Sequence, residues 1–175
     1  SGQFECDRAI ITAGIWSKEL MLKLGLNIPL EAERGYHVVY KNASILPRNP
    51  MMMTVGKFGV TPMGSDLRCA GTVELGGIKL GPSKAPIKLL RRRVAEAFPN
   101  MYYDKTEEWF GFRPTAPDSL PLIGQLKKSG VYTAFGHQHI GMTSGPKTGR
   151  LIADIINQRS PNIDISVYDP NRYNL

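Results

Sequence analysis

Cysteine is scarce in this 175-residue sequence: Cys6 and Cys69 are the only two, and with three histidines they form no C-x-x-C pair. No metal-ligand spacing results, which excludes a cysteine-built zinc fold. One disulfide or two reduced thiols are both open, and reduced cytoplasmic thiols are the simpler reading. Long apolar runs are missing too. None approaches the roughly 20 residues that a bilayer-spanning helix needs, and the first residues lack the basic-then-apolar layout of a secretory signal. No internal repeat or low-complexity segment occurs.

Acidic side chains are the minority charge, 15 against 22 basic, leaving +7. Such a field favours anionic partners without choosing among nucleic acid, membrane surface and acidic substrate. With 42% hydrophobic and 21% charged residues, the composition is that of a globular chain. Its length suits one domain, or a small domain with pieces of a second.

Strand and helix signals alternate at both ends. Asp7 to Thr12 reads as a short strand whose apolar Ala9-Ile10-Ile11 fits a buried parallel position. Ala13-Gly14 follows, then Trp16, Leu20 and Leu24 recur at helical spacing up to a stop at Gly25. Between Pro29 and Gly77 the runs 36–40, 51–55, 59–62 and 67–72 are short and separated by turn residues, as in an antiparallel sheet. Pro86 to Phe98 is a clear helix with Ile87, Leu90, Val94 and Phe98 on one stripe. Residues 109–113 read as extended, 131–135 as a strand, and 146–156 as a helix, with an irregular tail beyond Pro161. The expected class is an α+β or α/β fragment: an antiparallel sheet with a helix, flanked by remnants of a doubly wound domain. The expected divisions are 1–28, 29–110 and 111–175.

Four segments are candidates for function. Arg113 lies in Gly111-Phe112-Arg113-Pro114-Thr115-Ala116-Pro117-Asp118, where two prolines stiffen the loop and the planar guanidinium matches a carboxylate. A surface arginine beside a proline-rich turn is the alternative. Gly136 to Thr143 precedes a helix read as starting near Pro146; its N–H groups suit an anion or an electron-rich ring, or serve a plain glycine-rich turn. His137 and His139 within it lack the partners of a metal site. Thr12-Ala13-Gly14 ends a parallel strand, where glycine permits close approach by a ligand. Lys88, Arg91, Arg92 and Arg93 read as a solvated helix face; no aromatic interleaving accompanies them, so no nucleic-acid partner is expected.

Taken in order, these motifs resemble the FAD-dependent D-amino-acid oxidase-like oxidoreductases, closest to the D-amino-acid dehydrogenase small subunit and glycine oxidase group. The resemblance runs through Asp7 to Ser17, Arg34-Gly35-Tyr36, Cys69 to Glu74, Gly111 to Gly124 and Gly136 to Gly149. It implies the C-terminal, substrate-binding half of such an enzyme, with FAD as cofactor and a small amino acid or amine as substrate. It implies Arg113 on the substrate α-carboxylate, with Tyr36 as a second substrate-binding residue. It implies Ala13, Gly14 and Trp16 on one side of the cofactor, and His139, Ile140, Gly141, Met142 and Thr143 along the isoalloxazine. The implied chemistry is hydride transfer from the α-carbon to flavin, giving an imino acid that hydrolyses to a keto acid.

The sequence departs from the family at Thr115-Ala116-Pro117, and Phe58-Gly59-Val60-Thr61 lacks a tyrosine some members use. The phosphate-binding G-x-G-x-x-G does not occur in these residues. FAD binding is therefore expected to need an N-terminal half of the same protein, and the isolated chain is expected to be inactive. The location expected is cytoplasmic, and the +7 charge is compatible with peripheral contact at the inner face of a membrane. A non-catalytic ligand-binding or interaction module of the same fold is the alternative.

Overall fold

The computed structural model describes residues 2–127 and 129–173. In chain order its elements are β1 (Ala9–Ile11), α1 (Ser17–Lys23), β2 (Glu31–Tyr40), β3 (Met51–Met53), β4 (Phe58–Met63) and β5 (Asp66–Leu75). α2 (Lys84–Ala97), β6 (Thr106–Thr115), β7 (Leu122–Gln125), β8 (Val131–Phe135) and α3 (Gly141–Ile156) follow. The chain divides into two compact units, Ser1–Ala32 with Arg113–Leu175, and Glu33–Phe112. The crossings fall inside β2 and β6.

The first unit is built on a three-stranded sheet ordered β1-β8-β7. β1 runs parallel to β8, with Ile11 opposite Thr133, and β7 runs antiparallel to β8. The central strand β8 buries Tyr132, Thr133 and Phe135. α3 covers the sheet by placing Leu151 and Ile152 against Ile123 and Tyr132. These two buried aliphatic side chains each contribute roughly 2 kcal/mol by leaving water.

Three expectations are corrected in this unit. β1 is parallel, as its apolar run implied, but it is not buried: Ile10 is 46% exposed, because among the described residues β1 is an edge strand with β8 as its one neighbour. α3 begins at Gly141 rather than near Pro146, so Pro146 lies inside the helix. As the sixth residue of α3 it leaves the Met142 carbonyl without the i→i−4 donor that any other residue would supply. The tail is also more ordered than its composition indicated, with short 3₁₀ turns at Ser166–Tyr168 and Pro170–Tyr173. Arg172 ties the second of these down, donating from Nε to Asp118 at 2.7 Å and from Nη2 to the Leu120 carbonyl at 2.9 Å.

The second unit is a five-stranded sheet ordered β3-β4-β5-β2-β6, antiparallel from β3 through β2. The expected short strands and hairpins are all present, and Met63 pairs Asp66 across a two-residue turn. α2 lies on one face. Its stripe lays Leu90 and Val94, both 0% exposed, on Val38, Val60, Leu67 and Cys69. Burial in this apolar cluster pushes the Cys69 thiol up to about 12. Alternation along β2 puts Tyr36, Val38 and Tyr40 on the α2 face and His37 on the other. There the His37 ring stacks on Trp109 at 4.9 Å, and Arg68 Nη2 lies 3.2 Å from His37 Nδ1.

Between β2 and β5 the register slips at Gly35/Tyr36, which leaves Thr72 as an extra residue. Thr72 takes φ +64, a strained conformation for a β-branched residue, and its hydroxyl donates to the Gly71 carbonyl.

Candidate flavin and substrate site

Parallel pairing decides where the candidate loops go. β1 and β8 are adjacent and point the same way, so the segments leaving their carboxyl ends emerge on one edge of the sheet. In open sheets of this kind, that edge is where ligands bind. Thr12-Ala13-Gly14 leaves β1, and Gly136 to Ile140 leaves β8 and enters α3. The sequence treated these as separate motifs; the pairing brings Ala13, Gly14, Trp16 and residues 139–143 to the same end.

Gly14 has φ +57, and a Cβ built there would meet nothing within 4 Å. The turn therefore has open space in front of it as well as a backbone that favours glycine. Trp16 is 55% exposed just beyond. On the β8 side, Ile140 is the residue before the helix, and Ser144 N–H donates to its carbonyl at 2.9 Å. The N–H groups of Gly141, Met142 and Thr143 lie in the first turn and have no intrahelical acceptor. No acidic residue occupies that turn. Ile140 is 60% exposed and Met142 is 98% exposed, so apolar surface surrounds those donors. His139 and Thr143 are exposed as well.

The loop base is held from within. His137 Nε2 and Thr148 Oγ1 share a hydrogen bond of 2.9 Å, which joins the loop to the second turn of α3. Burial holds the His137 ring below the ordinary histidine value, favouring its neutral form. Gln138 N–H donates to the Pro114 carbonyl at 3.3 Å, so the segment carrying Arg113 is attached to the same loop. Arg113 is half-buried.

Tyr36 belongs to the other unit. It is 2% exposed, with its hydroxyl bonded to the Glu74 carboxylate and accepting from Ser83 N–H at 3.3 Å. Arg34 completes this cluster, and sequence reasoning had not singled it out. Its Nη1 reaches Glu74 at 3.0 Å and the Gly81 carbonyl at 2.7 Å, while Nη2 donates to the Gly76 carbonyl at 2.7 Å. The Tyr36 hydroxyl, with Ser83 and Arg34, holds Glu74 below the usual carboxylate range. The signal was present as Arg34-Gly35-Tyr36 and Glu74, but only the strand register shows that Arg34 faces Glu74. No helix among the described residues is long and apolar enough to cross a membrane.

The family model described as FAD dependent oxidoreductase (DAO) matches residues 1–155. The chain is 37% identical over 178 aligned positions to a D-amino-acid oxidase of Bradyrhizobium diazoefficiens, covering 99% of this chain and 42% of that protein. It is 31% identical over 172 positions to a glycine oxidase of Pseudomonas aeruginosa, covering 97% and 47%. Among solved structures, a glycine oxidase from Geobacillus kaustophilus superposes with a TM-score of 0.77 at 22% identity, over 97% of this chain and 46% of that one. That likeness shows the fold. The chain thus spans less than half the length of each of these proteins. FAD presents a flat ring that calls for N–H donors and apolar surface, and the shared end of β1 and β8 carries both. The resemblance read from the motifs is borne out: the chain belongs to the DAO family of FAD-dependent oxidoreductases.

Proposed function

We propose that this chain is the substrate-binding portion of an FAD-dependent oxidoreductase that oxidises an amino acid or amine at its α-carbon. The observation that carries the reading is the parallel pairing of β1 with β8, which gathers Ala13, Gly14, Trp16 and residues 139–143 at one sheet edge. The 37% identical relative is named for D-amino-acid oxidation, which supports an amino-acid substrate.

When bound, flavin supplies the hydride acceptor. The chain supplies binding and orientation. N–H groups of Gly141, Met142 and Thr143 would hold the electron-rich edge of the ring, since the helix end favours negative charge. The exposed Ile140, Met142 and Trp16 would cover apolar ring surface and exclude water. Gly14 permits close approach on the β1 side. Arg113 binds the substrate α-carboxylate as a planar fork, which sets the α-carbon's position. In this reading Tyr36 acts indirectly, fixing Glu74 within the Glu33–Phe112 unit, since its hydroxyl is engaged there. In this reading Glu33–Phe112 is the substrate-binding unit and the remainder belongs to the FAD-binding domain.

The G-x-G-x-x-G that would hold the cofactor's pyrophosphate is not among these residues, so a further segment of the protein is required. The 175-residue chain alone is inactive in this reading. Mixing it with that segment should give a yellow complex that keeps its flavin absorbance through gel filtration. A colourless complex, or a coloured chain without the segment, would overturn the proposal.

A further inference from the structure

Within the Glu33–Phe112 unit, α2 and β6 enclose a cleft of about 690 Å³ that the reaction above does not use. Its size is that of a small-molecule site rather than a peptide groove. Tyr36, Ile87 and Phe110 line it, with the two rings 6.3 Å apart and tilted by 31°. Trp109, Phe110 and Ile87 supply its accessible apolar surface, Tyr36 being 2% exposed.

The lining is positive. It contains Lys84, Lys88 and Arg91 against a single acid, Glu108. Arg91 already pairs with Glu108 at 2.8 Å and donates to the Thr106 hydroxyl at 2.5 Å. That leaves Lys84 and Lys88, one helical turn apart, exposed and in no ion pair among the described residues. The first turn of α2 contains no acidic residue and receives no side-chain cap, so the helix end adds to the same sign.

The wall is fixed before any ligand arrives. Arg34 is 2% exposed and holds the carbonyls of Gly76 and Gly81, which anchors the loop leading to Pro82 and Ser83. Ser83 N–H closes onto the Tyr36 hydroxyl. A preorganised cavity loses little ordering entropy on binding.

An apolar, partly aromatic lining that also holds two exposed ammonium groups in no ion pair among the described residues calls for a flat apolar body with one anionic head. A zwitterionic amino acid fits poorly, since the one carboxylate able to meet its ammonium is taken by Arg91. We propose that this cleft binds an aromatic monocarboxylate that lacks an amino group. The proposal stands independently of the flavoenzyme reading.

The test is a backbone-amide NMR titration of the 175-residue chain with 2-naphthoate. Saturable shifts are expected at Lys84 to Arg91 and at Phe110. Neutral 2-naphthamide should bind about tenfold more weakly, and so should 2-naphthoate to the Lys84→Gln/Lys88→Gln double variant, whose exposed positions leave thermal unfolding unchanged. Equal affinity for acid and amide, or undiminished binding by the double variant, overturns the proposal. So do shifts confined to Arg113 and residues 136–143, which would instead support the flavin and substrate site.

Discussion

Gln138 donates its N–H to the carbonyl of Pro114, 24 positions earlier in the chain, at 3.3 Å. This bond fastens the segment that presents Arg113 to the loop that opens α3, so the two motifs read from sequence act as one piece of backbone. Gln138 holds that position at φ +50. Replacement by glycine should leave stability equal or higher. Gln138→Val, a β-branched residue at the same angle, should cost about 1–2 kcal/mol in urea denaturation. Equal midpoints for the two variants would show that the loop is unstrained.

Arg113→Lys keeps the charge and removes the fork. In the complete enzyme it should raise KM for an amino-acid substrate by about tenfold or more, because a point charge does not reproduce bidentate geometry. Unchanged substrate kinetics would remove Arg113 from the site.

Gly76→Ala places a methyl on the Arg34 Nη2 atom, whose position is held by hydrogen bonds. The loop from Gly76 to Ser83 should loosen, seen as faster amide exchange at Ser83. Acid should do the same to the wild type. Glu74 is held below its ordinary value, so its contribution is present above that value and lost as pH falls through the folded one. Ser83 exchange that is insensitive to both changes would dissociate the cluster from the loop.

Asp118 is desolvated, yet hydrogen bonds led by Arg172 lower its carboxyl to about 2. Its stabilising effect is complete above the usual carboxylate range and disappears as pH falls toward 2. Because the side chain is 33% exposed, solvent screening reduces its worth to about 1 kcal/mol. Asp118→Asn should lose that amount at pH 7 in chemical denaturation, and the difference from wild type should vanish near pH 2.

His137 should titrate below 6.5 when followed by imidazole NMR, since burial favours its neutral form. The associated stability is present above 6.5 and declines as pH falls through the lower folded value. Thr148→Val removes the 2.9 Å partner and should cost about 1 kcal/mol. A midpoint above 6.5 would contradict the assigned environment.

Sequence alone made some of these features visible because their signals are local. The stripe of α2 and the apolar run of β8 need only neighbouring residues to be read, and both stand where periodicity put them. α3 was misplaced by five residues because Pro146 imitates a helix start, whereas Gly141 to Gly145 has no apolar periodicity to contradict it. β7 was missed because Pro121 and Gly124 disguise it as loop, although Leu122 and Ile123 are buried. The Arg34–Glu74 pair and the Thr72 bulge depend on cross-strand register, which joins residues some 40 positions apart. The convergence of 12–16 with 139–143 likewise required knowing that β1 lies beside β8.

The outer edge of β1 has a practical consequence for anyone handling the polypeptide. A strand hydrogen-bonded on one side only is a template, and its free backbone groups accept any extended segment of matching direction. Trp16, Leu22 and Leu24 add apolar surface in the same unit, each at least half exposed. Produced by itself, the chain should self-associate through this border as its concentration rises, read by sedimentation velocity, and co-production with a segment that supplies the next strand should suppress that association.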